Sequence, residues 1–313
     1  MDEIQSPLIS AVPDEDLPTA FAHAPSKAIL ADAIRKLART SVLVVGDAML
    51  DRYIYGTVAR VSREAPVPVL SVDREVALPG GAGNVVRNLG ALGVAVAFVS
   101  VVGDDQTGSD LTGLIGSQPG VEPWLLVQGS RTTTRKTRFM ARGQQLLRTD
   151  REDTSPIHPK LAERLLRIVR DARAATSVTI LSDYGKGVLS GDMPAKIIAN
   201  ARTTGRPVVV DMRGTDFARY AGADVVYAKS WGALPFFGAW DGEKPIRDAH
   251  KHFIVDAAKM KLTNGAMFSH CLPLRRNVKA TDEVLDSPAS AVIDEAENRL
   301  HVQKAVMKKL LGA

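Results

Sequence analysis

What most limits the folds open to this sequence is an alternation repeated along most of its length. Short runs of β-branched and aliphatic residues are separated by helix-length segments that carry apolar residues on one side. Ser41-Val-Leu-Val-Val-Gly46, Val94 to Val102, Val178 to Ser182 and Val208 to Asp211 are runs of the first kind. A run without polar alternation suits a strand covered on both faces of a parallel sheet. Leu161, Leu165, Leu166 and Val169, then Ile197, Ile198 and Ala201, fall at helical spacing between them. Strand and helix taken in turn predict βαβ units, and so an α/β fold: a mostly parallel, twisted sheet with helices on both faces. Val67-Pro-Val-Leu-Ser-Val72 reads as an edge strand, because proline cannot donate to a ladder. Ile29, Ile34 and Leu37 mark a short helix ahead of the first strand, and a small-residue helix runs from the 80–84 glycines toward Leu92, ended by Gly93.

The pattern is regular to about Asp224 and then changes. Tyr227 to Trp240 is rich in aromatics, glycine and proline. Gly265 to His270 predicts one more buried strand, and a final helix from about Glu295 is expected to turn Leu300, Val306, Leu310 and Leu311 inward. Pro7, Pro13, Pro18 and Pro25 make residues 1–26 read as a flexible leader. The expected organisation is therefore 1–26 leader, 27–224 first domain and 225–313 C-terminal segment.

Composition removes several functions. One cysteine, Cys271, excludes an internal disulfide framework and a clustered thiolate metal site, and no protein metal site is expected. No apolar run reaches the ~18–20 residues of a membrane span, and Met1-Asp2-Glu3 is acidic where a secretory signal is basic. A cytoplasmic protein without a membrane partner is expected. The net charge of +5 is small and scattered, and aromatics are 5% of residues, which argues against a nucleic-acid partner and fits small anionic ligands.

Four constellations carry chemistry. Asp47 follows the first buried strand, where ligands sit in open α/β sheets; it either accepts hydrogen bonds from ligand hydroxyls or caps the next turn, and Asp51 offers a second carboxylate four residues on. Gly80, Gly81 and Asn84 lie in Pro79-Gly-Gly-Ala-Gly-Asn84, which serves either as a close backbone approach to a ligand at a helix start or as a tight turn. Lys136, Arg138, Met140 and Arg142 alternate, putting charge on one strand face that either meets a phosphate or is simply solvated, with Gln144 and Arg148 beyond. Asp183 and Lys186, in Ser182-Asp-Tyr-Gly-Lys-Gly187, follow another strand, so that their loop converges with the first.

Together these segments resemble the ribokinase-type (PfkB) sugar kinases, in particular the heptose-7-phosphate kinase module of ADP-heptose synthesis. The resemblance rests on Val44-Val-Gly-Asp-Ala-Met-Leu-Asp-Arg-Tyr53, Ser62-Arg-Glu-Ala-Pro-Val-Pro-Val69, Pro79 to Asn84, Gln144-Gln-Leu-Leu-Arg148, Ser182 to Gly187 and Gly214-Thr-Asp-Phe217, in family order. It implies a ribokinase-like fold with a small β lid over 52–78. It also implies a sugar phosphate as partner, with Asp47, Gly80, Gly81 and Asn84 on its hydroxyls and Lys136, Arg138 and Gln144 on the sugar and its phosphate. The implied reaction moves the γ-phosphoryl of ATP, with Mg2+, to the anomeric hydroxyl of D-glycero-D-manno-heptose 7-phosphate, a step toward the lipopolysaccharide core. The sequence departs from the family in lacking Gly-Ala-Gly-Asp, whose aspartate deprotonates the acceptor; Asp211-Met-Arg213 stands where the family has Asp-Pro-Lys, and Thr-Pro-Asn is missing. An incomplete nucleotide site and impaired catalysis are expected.

Residues 224–313 resemble instead the C-terminal end of ornithine-type carbamoyltransferases, nearest the N-acetylornithine branch. The text is Asp224-Val-Val-Tyr-Ala-Lys-Ser-Trp-Gly232, His270-Cys-Leu-Pro-Leu-Arg-Arg-Asn-Val-Lys279 and Ile293 to Gln303. By that resemblance Cys271, Leu272 and Arg275, within the His270 motif, orient carbamoyl phosphate, while Lys229 and Lys279 face the amino-acid substrate. Ser130-Arg-Thr-Thr-Thr-Arg135 has the look of that family's phosphate loop but falls inside the kinase match. The chain reads as a fusion whose tail completes a parallel sheet. Three functions follow: an impaired sugar kinase, a carbamoyltransferase fragment of arginine biosynthesis, or a non-catalytic sugar-phosphate binder. A homodimer is left open.

Overall fold

The computed structural model describes residues 27–212, 216–229, 234–236 and 239–310. The expected leader, Gly214 of the kinase-like text and Leu311 lie outside the described residues. In chain order the elements are α1 (Lys27–Leu37), β1 (Ser41–Gly46), β2 (Ala48–Val61), β3 (Pro68–Gly81), α2 (Ala82–Ala91), β4 (Ala95–Gly103), α3 (Gln106–Gly116), β5 (Val121–Gln128), β6 (Arg135–Ala141) and β7 (Gln144–Arg151). There follow α4 (Pro159–Arg173), β8 (Val178–Asp183), α5 (Met193–Arg202), β9 (Val208–Met212), β10 (Val225–Tyr227), α6 (Trp240–Ala249), α7 (Ala257–Met260), β11 (Met267–Ser269), α8 (Asp282–Leu285) and α9 (Val292–Leu310).

Seven strands form one parallel sheet in the order β11-β10-β9-β8-β1-β4-β5. The central strand shows why its sequence lacks polar residues. Leu43 and Val45 enter the apolar layer under α4 and α5, with Leu165, Val169, Ile197 and Ile198. Val42 and Val44 enter the opposite layer under α2 and α3, with Val86, Leu111 and Ile115. Successive side chains of a strand point to opposite faces, so a strand between two helical layers must be apolar throughout.

A second sheet, β3-β2-β6-β7, stands over one end of the first. It is broader than the lid expected over 52–78: β2 and β3 are 14 residues each, and β6 joins β2 in parallel while β7 closes the sheet. The 67–72 segment lies, as its proline predicts, at the edge within β3, which pairs with β2 alone.

The C-terminal segment extends the main sheet. β10 pairs with β9 at Val226↔Val210, and β11 pairs with β10 at Val226↔Phe268, all in parallel. Val226, Val255, Phe268, Ala280, Val284 and Val292 belong to the same apolar layer as Leu43 and Leu181. The last helix departs from expectation. It begins at Val292, which is buried, but Leu300, Val306 and Leu310 are 41%, 51% and 80% exposed. Val292 enters the apolar layer, while the leucines and valine farther along α9 stay exposed. Ile34 and Leu37 of α1 are likewise uncovered. No described helix is long and apolar enough to cross a membrane.

A shared core has a measurable consequence. Phe268→Ala removes a fully buried ring from β11 and is expected to cost about 3–5 kcal/mol. In chemical denaturation the whole transition should shift as one; two transitions, with only one displaced, would show that the tail folds apart from the rest.

Candidate functional site

The cleft of interest lies between the carboxyl ends of β1 and β8 and the second sheet. It encloses about 400 Å³, and its walls come from β2, β3, α2, β6, β7 and the loop after β8.

Asp47 interrupts the chain between β1 and β2, and its side chain points inward at 1% exposure. Its carboxylate accepts three backbone N–H bonds, from Tyr184 at 2.9 Å and from Lys186 and Val188 at 3.0 Å each. Burial pushes this carboxyl above its ordinary value; the N–H donors oppose that shift and the neighbouring Asp183 charge adds to it. Asp47 therefore takes the structural alternative. It does not line the cleft but fixes the loop that does.

That loop is held from a second side by Arg131, which is 6% exposed. Its guanidinium donates to the carbonyls of Asp153 and Ser155 at 3.0 Å each and to that of Lys186. This explains Ser130-Arg-Thr-Thr-Thr-Arg135 without any phosphate. Gly187 completes the turn with φ +90, and a Cβ there would sit 1.9 Å from the Ser155 carbonyl oxygen. The result is that Tyr184 and Lys186 project into the cleft.

Asp183 turns the other way. Buried at 4% exposure, it accepts from the Gly185 N–H at 2.8 Å and from the Tyr220 hydroxyl at 2.5 Å. Burial and then the Asp183 charge push the Tyr220 hydroxyl well above the ordinary tyrosine range.

On the opposite wall Asp51, Lys136 and Arg138 meet because β2 and β6 pair in register, Asp51↔Lys136 and Tyr53↔Arg138. Arg138 donates to Asp51 at 2.6 Å and lies over the Tyr53 ring at 5.1 Å. Gly80 permits this approach, since a Cβ on it would be 2.2 Å from Asp51 Oδ2. Gly81, at φ +57, turns β3 into α2, whose first turn presents Asn84 to the cleft. Lys136 pairs with Asp150 at 2.8 Å and Glu152 at 3.5 Å; Lys186 pairs with Glu152 at 2.7 Å, and Arg148 with Asp150 at 3.0 Å. The bond from Lys136 holds the Asp150 carboxyl below its ordinary value, and that from Lys186 does the same for Glu152.

Of the residues singled out in the sequence, Asp51, Gly81, Asn84, Lys136, Arg138 and Lys186 thus share one cleft. Asp47, Gly80 and Asp183 support it from behind. Gln144 lies elsewhere: it pairs with Ala141 at the far end of the β6–β7 hairpin and is exposed. Arg142 is not on the charged strand face either, because it forms the hairpin turn at φ 48. Arg87 and Arg148 complete the lining. Arg87 was legible in principle, one helical turn beyond Asn84.

Cys271 and Leu272 line a groove of about 690 Å³ against α9 that includes neither Lys229, His270, Arg275 nor Lys279. Lys229 pairs with Asp211 at 3.3 Å, and His270 is fully buried. Arg275 donates to Glu243 at 2.5 Å. Lys279 is 3% exposed, and burial, with the Arg275 charge, lowers it to about 8. Among the described residues no group of three or more His, Cys, Asp or Glu is placed to hold a metal ion.

Comparison with known proteins assigns the two parts differently. The family model for pfkB carbohydrate kinases matches residues 39–229. The model for the Asp/Orn binding domain of aspartate/ornithine carbamoyltransferases matches residues 192–310, so that 192–229 fall in both. The bifunctional protein HldE of Acidiphilium cryptum is 66% identical over 194 residues, covering 62% of this chain and 40% of that protein. That of Paramagnetospirillum magneticum is 51% identical over 197 residues, covering 63% and 40%. The N-acetylornithine carbamoyltransferase of Xanthomonas campestris is 52% identical over 171 residues, 55% of this chain and 49% of that protein. The chain therefore spans about 40% of the length of the HldE relatives. A carbohydrate kinase from Agrobacterium tumefaciens superposes with a TM-score of 0.46 at 23% identity, covering 60% of each chain.

Two expectations come from the geometry. Asp47→Ala leaves one buried and two part-buried N–H groups without an acceptor and should cost about 3 kcal/mol; equilibrium unfolding measures it, and a loss under about 1 kcal/mol would mean the loop is held without it. Asp150 and Glu152 have folded values below their ordinary 3.8 and 4.5, so their contribution to stability is complete above those values and is lost as pH falls through the lowered ones. Thermal melts from pH 6 down should fall in that window, and the Asp150→Asn, Glu152→Gln double variant should flatten the fall.

Proposed function

This chain belongs to the pfkB carbohydrate kinase family, and on that premise we propose that residues 27–224 recognise a sugar phosphate of the heptose 7-phosphate type while the transfer step is impaired. One observation carries the reading: Asp51, Asn84, Lys136, Arg138 and Lys186, from three separate elements and a loop, face a single cleft. Carboxylate and carboxamide suit sugar hydroxyls, which both donate and accept. The cations suit a phosphate.

The family's reaction uses ATP and a divalent ion, and ATP supplies the phosphoryl group. Transfer depends on positioning, electrostatic stabilisation and a base for the acceptor hydroxyl. The full sequence contains no Gly-Ala-Gly-Asp. Among the described residues, the lining of the cleft ends at Lys186, so no group of the C-terminal segment faces it. In this reading the family's base for the acceptor hydroxyl is missing, and transfer is slowed for that reason. In this reading residues 225–313 serve the fold, by supplying β10 and β11, and not a carbamoyl transfer.

Calorimetric titration of heptose 7-phosphate, followed by a coupled assay with Mg-ATP, tests both halves. Binding is expected, with turnover about 10²–10⁴-fold slower than in a relative that keeps the aspartate. Absence of binding would sink the recognition; turnover at the relative's rate would sink the impairment.

A further inference from the structure

Resting on the sugar-phosphate reading, we infer that Arg87 is the residue that takes the substrate's existing phosphate and so sets the preference for phosphorylated over unphosphorylated sugar. Five cations line the cleft: Arg87, Lys136, Arg138, Arg148 and Lys186. Four of them are already engaged, Lys136 and Arg148 by Asp150, Lys186 by Glu152 and Arg138 by Asp51. Arg87 is different. It is exposed on α2, and among the described residues its guanidinium has no carboxylate or carbonyl partner.

The difference matters when an anion arrives. A paired cation must share or release its carboxylate, and the anion then meets that carboxylate's charge at close range. An uncommitted guanidinium offers its planar fork to two phosphate oxygens at once, with nothing displaced. Five cations against the carboxylates that pair with them, Asp51, Asp150 and Glu152, leave a surplus of two positive charges among these side chains. That matches a phosphate monoester, which carries about −1.5 to −2 near neutral pH. The spacing also fits: residues three apart on a helix are neighbours about 5–6 Å apart. A sugar whose hydroxyls reach Asn84 thus carries its phosphate to Arg87, one turn on, while Asp51 and Arg138 face it from β2 and β6.

The test compares wild type, Arg87→Ala and Arg87→Lys in the full chain by calorimetry. The probes are heptose 7-phosphate, the same heptose without phosphate, and inorganic phosphate. Arg87→Ala is expected to weaken heptose 7-phosphate about 10–100-fold and to leave the plain heptose within about twofold. Arg87→Lys should recover part of the loss, since it keeps the charge without the fork. Thermal melts of the unliganded variants should coincide with wild type, because the side chain is exposed. Unchanged heptose 7-phosphate binding in Arg87→Ala, or equal weakening of both sugars, would overturn the assignment while leaving the sugar-phosphate reading intact. Wild type that binds inorganic phosphate through Arg87 but neither sugar would keep the anion site and remove the substrate. Wild type that binds none of the three removes both.

Discussion

A buried carboxylate, Asp47, joins sheet to cleft. Where β1 ends and β2 begins, its two oxygens hold three alternate backbone donors of the loop after β8, those of Tyr184, Lys186 and Val188. Two strands adjacent in the sheet are thereby locked at their carboxyl ends, and Lys186 and Tyr184 are aimed from the lock. Desolvation outweighs the donors, so the folded carboxyl titrates above its ordinary value. A raised folded value means the group favours the fold most in acid and less as pH rises through that value. Asp47 is buried against its own hydration, and the return is position: its two oxygens meet N–H donors from both ends of one turn.

The C-terminal segment shows how little a parallel sheet asks of a newcomer. β10 and β11 contribute three residues each, and what they bring is backbone pairing plus Val226 and Phe268 for the layer beneath. Pairing of main chains is indifferent to ancestry. This accounts for residues 192–229 matching both family models: a helix, a strand, a turn and the next strand are common coin to the two folds. A sheet can be completed in this way while the chemistry that belonged to the original tail is absent.

Much of the fold was legible because its strands are covered on both faces. Leu43 and Val45 on one side and Val42 and Val44 on the other leave no room for polar alternation, and the sequence says so directly. The lid was less legible, since β6 and β7 have mixed or fully exposed residues that a periodicity test cannot separate from solvated coil. Within the site, the charged strand face of Lys136 and Arg138 followed from alternation, while the pairing of β2 with β6 that brings Asp51 to it did not. Direction did not follow either. Asp47 and Asp183 sit just past strand ends, where ligand contact is the natural expectation, yet both turn into the protein to meet partners over a hundred or several tens of residues away. Gln144 fails for a different reason, being carried beyond the cleft by the length of the hairpin. The final helix misleads because its apolar spacing is real while, among the described residues, Leu300, Val306 and Leu310 stay exposed.

The outermost strand of the main sheet has a further effect. β11 is three residues long, and the backbone of Phe268 is bonded on its outer side to the 289–291 segment, donating to the Ala289 carbonyl and accepting from the Ala291 N–H at 2.8 Å each. An open, long and flat border invites another polypeptide to add itself. Here the border is brief and already occupied. A strand added on this side would meet the Phe268 N–H and carbonyl already paired, with the 289–291 main chain standing in its place.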